Sequence, residues 1–405
     1  MASIKSFSFL LLLICATQKL TAQECYYVDR HAIEKEVLAI PGETMGQKLE
    51  SLLFWSQDEK ERRFSMMQAI YPSIPIPTGN KSSSLEELGN MTPKWEDETT
   101  LVSYMKDNHV QGIVVLQDNK IRLEKYADGI TQETLWTSFS VAKSVSSMLV
   151  GVALKEGAIE SLEDPLKKYI NEFNEHDYGE VTVRQLLTMT SGIEWNEDYE
   201  DPNSDVGQMY KAHCQGVESH ILTYMRPLKF AYKPGTHWNY NTGETDLVGI
   251  LVQKATGKSL AEYLSEKVWK PFGMEHCAAW LADECSHLNL GGSGLSASLR
   301  DFARLGIIML DAGKVGGENI LSEAYLKDAT SLLQQVNDEG DGYGYLWWRF
   351  QDGSYGAFGI FGQMVYINPH KNIVIAQIAA WPKAGSKALT QERQNFIEAV
   401  QRVID

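Results

Sequence analysis

Basic residues are scarce in this chain. Its 405 residues hold 37 Lys and Arg against 53 Asp and Glu, a formal net charge of −16. A surface that binds nucleic acid needs a basic excess, so this balance argues against such a partner. Hydrophobic residues make up 43% and charged residues 22%. These are globular values, and they exclude collagen-like, low-complexity and wholly disordered chains. Beyond one N-terminal run, no stretch approaches the length of a membrane span, so the mature chain is expected to lack one. There is no internal repeat and no HExxH, and Gly291-Gly292-Ser293-Gly294 lacks the lysine of a phosphate loop and reads as a tight turn. The acid-rich stretch 194–205 lacks EF-hand spacing and reads as a solvated loop. No cofactor and no metal is expected.

Cysteine is scarce too, at five residues. The first, Cys15, lies in the apolar run Phe7 to Ala16, which follows one positive charge and precedes Leu20-Thr21-Ala22. This is the layout of a signal peptide over residues 1–22, with a poorly ordered helix as the plainer alternative. Lipidation at Cys15 fits less well, because bulky Ile14 precedes it. Removing residues 1–22 takes away two lysines and moves the charge from −16 to −18. An exported chain, periplasmic or extracellular, would keep Cys25, Cys214, Cys277 and Cys285. Cys277 and Cys285 are then a candidate disulfide, with free thiols the alternative. His276 and His287 flank them, but the spacing is not a standard zinc pattern.

The remaining chain divides by pattern. Residues 23–100 read as an extension wrapped on the main body, with the turn-rich segment Tyr71 to Asn80 inside it. Val110 to Leu116 and Ile121 to Tyr126 predict a hairpin about Asp118-Asn119-Lys120. Phe139 to Glu156 predicts a buried helix. Helical patterns dominate a block from about 158 to 295, and Ser298 to Ala312 adds another helix. Strands are expected at Tyr343 to Phe350, Gly356 to Ile360, Met364 to Ile367 and Ile373 to Ala380, then a closing helix over Leu389 to Val403. This order predicts an α/β sandwich, its sheet assembled from both ends of a domain spanning 101–405 around an inserted helical subdomain.

Two S-x-x-K matches occur, and context separates them. Ser103 with Lys106 lies in a polar helix, whereas Ser140 opens the buried helix and carries Lys143 into the interior. A buried lysine is costly unless paired or used. The i, i+3 spacing sets its amine beside the serine hydroxyl, and the helix N-terminus adds a positive field, which favours a nucleophile.

Several segments carry a resemblance: Leu135 to Ser144, Arg184 to Gly192, Trp238 to Gly243, Gly291 to Leu295 and Gly359 to Gln363. Across roughly residues 105–405 the chain resembles the serine β-lactamase and penicillin-recognising superfamily. Within it, the chain most resembles the branch of class C β-lactamases, family VIII-type esterases and 6-aminohexanoate-dimer hydrolases, and Glu197 to Pro202 with Gly359 to Gln363 favour the dimer-hydrolase-like members. The resemblance implies a β-lactamase-like fold, an antiparallel sheet flanked by helices. It makes Tyr240 the general base of a Y-x-N motif, with Thr242 where asparagine is expected. Lys143 and Tyr240 would titrate as a pair, the ammonium favouring phenolate. It also implies an oxyanion hole from the amides of Ser140 and Ile360, and substrate contacts at Tyr199, Thr242 and Gly359. For Tyr199 a surface-loop tyrosine is the alternative, and Trp347 and Trp348 read as core.

One departure stands out. The family's third motif carries Lys or His on a strand beside the serine, but Tyr355 to Ile360 holds no cation, and Lys383-Ala384-Gly385 lies beyond the last strand. The expected function is therefore cleavage of a small ester or amide through an acyl-enzyme on Ser140, with β-lactamase or D,D-peptidase activity as the rival. A non-catalytic binding homologue is the alternative from another class, and the intact Ser140, Lys143 and Tyr240 argue against it.

Overall fold

Of the chain, the computed structural model describes Cys25, Ile40 and residues 45–80, 82–211, 218–338 and 340–404. The expected leader, Cys15 and Cys214 lie outside the described residues. An eight-stranded antiparallel sheet runs through the centre. Its strands are β1 (Val110–Gln117), β2 (Lys120–Tyr126), β3 (Gln334–Gln335), β4 (Gly342–Tyr343), β5 (Trp348–Arg349), β6 (Tyr355–Gly359), β7 (Gln363–Asn368) and β8 (Ile373–Ala379). Their spatial order is β2-β1-β8-β7-β6-β5-β4-β3, so strands from both ends of the domain meet where β1 pairs with β8. Every residue of β7 and β8 is buried, because helices cover both faces. The run expected as one strand from Tyr343 to Phe350 is two short strands, β4 and β5, broken between them by Leu346 at φ 60°.

Helix α1 (Met45–Leu52) and helix α2 (Gln57–Arg63) belong to the N-terminal extension. Helix α3 (Val141–Glu156) is buried along most of its length and packs against α4 (Thr242–Thr256). Helix α5 (Leu299–Leu310) lies on β8, β7 and β1, and α6 (Lys387–Gln401) closes the chain. A second sheet of four strands, absent from the sequence reading, orders Ser73–Ile76, Ala278–Leu281, Leu295–Ser298 and Leu135–Thr137 side by side. The turn-rich extension supplies its edge strand, which is where Pro75 can be accommodated.

Cys277 is bonded to Cys25, 252 residues away, and not to Cys285. The expected Cys277–Cys285 pair is therefore wrong. The bond ties the start of the extension to the small sheet, and a long closed loop of this kind restricts the unfolded chain more than a short one does.

Candidate active site

Ser140 sits at the N-terminus of α3 and is 8% exposed. At Ser56, Ser259 and Ser298 the hydroxyl at the same helical position accepts a backbone N–H, the usual capping bond. Ser140 makes no such bond, so its hydroxyl is not committed to the helix. Ser103 is the opposite case: its hydroxyl closes a capping box with Thr100. The residue before Ser140, Phe139, has φ 44°, a conformation a bulky residue holds only under constraint. Phe361, beyond β6, has φ 60°. Phe64, from the end of α2, packs against both rings, at 5.0 Å from Phe139 and 5.2 Å from Phe361.

Lys143 is 1% exposed, and its Nζ donates to Ser140 Oγ at 3.2 Å, Thr242 Oγ1 at 3.0 Å and the Gly292 carbonyl at 2.8 Å. All three ammonium protons are thereby placed. The Gly292 carbonyl arrives there because Gly291 crosses α4 at Gly249 without a side chain: a Cβ on Gly291 would lie 2.5 Å from the Thr245 carbonyl. Burial holds the Lys143 amine down to about 8, and the charges of Glu197 and Asp246 oppose that shift. Asp246 itself accepts the Gly292 N–H at 2.7 Å and is pushed up to about 6 by burial.

Tyr240 precedes α4, lies half-buried and stacks on Trp348 with ring centroids 5.9 Å apart. Lys143 Nζ is 5.3 Å from the centre of its ring. Burial, reinforced by the Glu197 charge, pushes the phenol above its ordinary value, with Ser140 pulling slightly the other way. The directions oppose the expected phenolate: the resting proton belongs to Tyr240, and the labile one to Lys143. Trp348 forms a wall of the site, while Trp347 is in the core as read.

Glu197 is the residue the sequence reading did not single out. Its carboxylate accepts from the Tyr199 hydroxyl at 2.5 Å, the Thr242 N–H at 3.0 Å, the Thr242 hydroxyl and the Trp195 indole. Thr242 therefore links Lys143 to Glu197, and Tyr199 is fixed at the site wall instead of lying loose on the surface. The acidic loop is not simply solvated: Asp205 also turns inward and accepts from Tyr224 at 2.7 Å. No cluster of metal-ligating groups occurs among the described residues.

Two depressions meet at Ser140. One is mainly apolar, with Leu52, Leu53 and Met67 of the extension facing Phe139, Leu281 and Ile360. The other runs past Tyr240, Trp348, Phe358, Gly359 and Ile360 towards α6. Gly359 has no room for a side chain, since a Cβ would lie 2.5 Å from the Ser138 carbonyl and 3.1 Å from the Ser140 amide nitrogen. The end of β6 is thus pressed against the Ser138–Ser140 backbone.

A sandwich of this topology, with a buried Ser-Lys pair at the start of a central helix, defines a serine hydrolase of the β-lactamase fold. The comparison with known proteins agrees. The sequence model described as beta-lactamase matches residues 98–396, and the chain belongs to that family. The 6-aminohexanoate-dimer hydrolase of Paenarthrobacter ureafaciens is 23% identical over 382 residues, covering 90% of this chain and 96% of its own length. A solved structure described as a candidate 6-aminohexanoate-dimer hydrolase of Bacillus anthracis matches with TM-score 0.74 at 23% identity, over 84% of this chain and 93% of that one. A family VIII carboxylesterase shares the fold at TM-score 0.55 and 18% identity, over 74% of this chain and 95% of its own.

Proposed function

We propose that the protein cleaves small esters or amides of apolar acids through an acyl-enzyme on Ser140. The observation that carries this reading is the buried Lys143 amine 3.2 Å from an uncapped Ser140 hydroxyl. With an amine near 8, roughly a tenth of the molecules hold it neutral at pH 7. The neutral amine accepts the Ser140 proton as Oγ bonds to the carbonyl carbon. The amides of Ser140 and Ile360 hold the resulting oxyanion. The tetrahedral species then collapses, the bond to the leaving oxygen or nitrogen breaks, and neutral Tyr240 supplies that atom's proton. Lys143 returns a proton to Tyr240, and water releases the acid by the reverse sequence.

The depression lined by Leu52, Leu53 and Met67 suits an apolar acyl group. Strand β6 lacks the family's cation, which disfavours β-lactamase or D,D-peptidase action, because a β-lactam carries its carboxylate close to the scissile nitrogen. Export fits the leader composition and the Cys25–Cys277 bond, since such bonds persist in oxidising compartments.

A four-member cycle of Lys143→Met, Tyr240→Phe and their double variant tests the mechanism by kcat/KM on a p-nitrophenyl ester. Each single change should cost about 10²–10⁴-fold, with little further loss in the double variant, since groups acting as a unit are non-additive. Losses that multiply would contradict the shared proton path. Tyr240→Phe at wild-type rate would make Tyr240 a packing residue.

A further inference from the structure

Two lysines are buried among the described residues, Lys143 at 1% exposed and Lys60 at 3%. The mechanism uses the first and gives the second no role. Lys60 lies on α2, in the extension and outside the residues matched by the family model. Its Nζ donates to the Pro382 carbonyl and stands 4.8 Å from the centre of the Phe361 ring. The carboxylates beside it in the chain are engaged elsewhere. Glu59 pairs with Arg63 at 2.9 Å, and Glu61 accepts from Gln57 at 2.8 Å and meets His109 at 3.0 Å. Lys60 therefore has no ion-pair partner among the described residues. Burial holds its amine below the ordinary lysine value, and the Glu59 charge opposes that shift. A buried ammonium without a counter-ion is costly, which makes Lys60 a candidate for a function.

What Lys60 touches defines the role. Phe361 is fully buried, has φ 60° and follows Ile360, whose amide the mechanism assigns to the oxyanion. The Phe361 N–H donates to the Ala384 carbonyl at 2.9 Å, and its carbonyl accepts the Trp381 N–H at 3.1 Å. The turn is thus bonded to both sides of Pro382. Lys60 closes the clamp, because one ammonium joins the Pro382 carbonyl to the face of the Phe361 ring. Gln57, one turn earlier, donates to the Ala380 carbonyl at 2.6 Å, and Phe64, just past the end of α2, packs on the Phe361 ring at 5.2 Å. Gln57, Lys60 and Phe64 have the i, i+3, i+7 spacing of one helical face. The contact of a cation with a ring face depends on charge, unlike the apolar contact from Phe64.

We infer that Lys60 is a positioning residue for the hydrolysis: its ammonium, seated between Pro382 and the Phe361 ring, fixes the turn that presents the Ile360 amide to the oxyanion. This rests on the acyl-enzyme reading above, because that reading assigns the amide. The turn holds an unfavourable φ, which persists only where the surroundings enforce it. Without the cation the turn relaxes and the Ile360 N–H is displaced. Stabilisation of the tetrahedral species then falls while substrate binding stays. The extension acts on the chemistry through a charge as well as through packing.

Lys60→Met keeps the apolar stem and removes the charge, and replacing an unpaired buried ammonium in this way should leave the fold intact. On p-nitrophenyl butanoate it should lower kcat about 10- to 100-fold, with KM within about twofold of wild type. Rates are referred to the titre of fluorophosphonate-reactive sites, so unfolded protein does not count. Wild-type kcat per titrated site, or a loss confined to KM, would overturn the proposal. Phe361→Leu removes the ring face and keeps an apolar side chain. Lys60→Met added to it should cost no more than about twofold further, because the partner of the charge is already gone. Losses that multiply would overturn the proposal. Hydrogen exchange gives an arm independent of turnover. Amides of residues 355–365 should exchange at least about tenfold faster in Lys60→Met, measured against those of α3 as the internal reference. Equal protection of 355–365 would overturn the proposal. If wild type cleaves no ester, the acyl-enzyme reading fails, and the exchange arm still decides whether Lys60 holds the turn.

Discussion

Phe64 lies in the extension, outside the segment matched by the family model, yet it is fully buried beside the peptide that carries Ser140. Its ring meets Phe139 at 5.0 Å and Phe361 at 5.2 Å, and its carbonyl accepts the Thr137 N–H at 3.0 Å. Phe139 and Phe361 are non-glycine residues at φ 44° and 60°, each next to one of the amides assigned to the oxyanion hole. Holding such conformations costs of order 1–3 kcal/mol apiece, so they persist only where packing enforces them. Phe64→Ala removes the shared support. Truncating a buried Phe should destabilise the fold by about 3–5 kcal/mol, from lost burial and the cavity left behind. If either backbone relaxes, an oxyanion donor is displaced, which typically costs about 10²–10³-fold in kcat. Phe173→Ala provides the control, since Phe173 is as deeply buried but packs its ring on His176 and Tyr178 and not on Phe139 or Phe361. Thermal unfolding and kcat on a p-nitrophenyl ester should then separate the two variants: similar loss of stability, but a large loss of kcat only for Phe64→Ala. A folded Phe64→Ala protein with wild-type kcat would refute the idea that the extension holds the site in shape.

Three further outcomes follow from the site. If the neutral Lys143 amine is the proton acceptor, kcat/KM should rise with pH up to an apparent pKa near 8 and level off above it, as a pH-rate profile would record. Glu197→Gln removes a charge that raises Lys143 and Tyr240 alike, so the acid limb of that profile should move to lower pH; a shift to higher pH would contradict the electrostatic assignment. Gly359→Ala should lose at least about 10²-fold in kcat/KM and also unfold at a lower temperature, because the added methyl must push β6 away from the Ser138–Ser140 peptide.

Much of this site was legible in the sequence. Ser140 could be told from Ser103 because the first opens an apolar helix and the second a polar one, and the structure spends the Ser103 hydroxyl on capping. Tyr240, Thr242 and Gly359 came from motif order, and the structure gathers all three around Ser140. Glu197 was hidden because an acid in an acid-rich loop looks solvated; only the fold turns it towards Thr242. The Cys25–Cys277 bond eluded a reading that favoured the shortest loop, because chain separation says little about distance once an extension wraps back over the body. The same wrapping brings Leu52, Leu53, Phe64 and Met67 to the site, and no local pattern in residues 45–76 announces it.

The central claim is that Ser140 forms the covalent bond. Intact-mass measurement after treatment with a fluorophosphonate tests it most directly, followed by peptide mapping of the adduct. The wild-type protein should gain one phosphonyl group on the peptide containing Ser140, and Ser140→Ala should gain none. Labelling that survives in Ser140→Ala, or that disappears only in Ser103→Ala, would contradict the account.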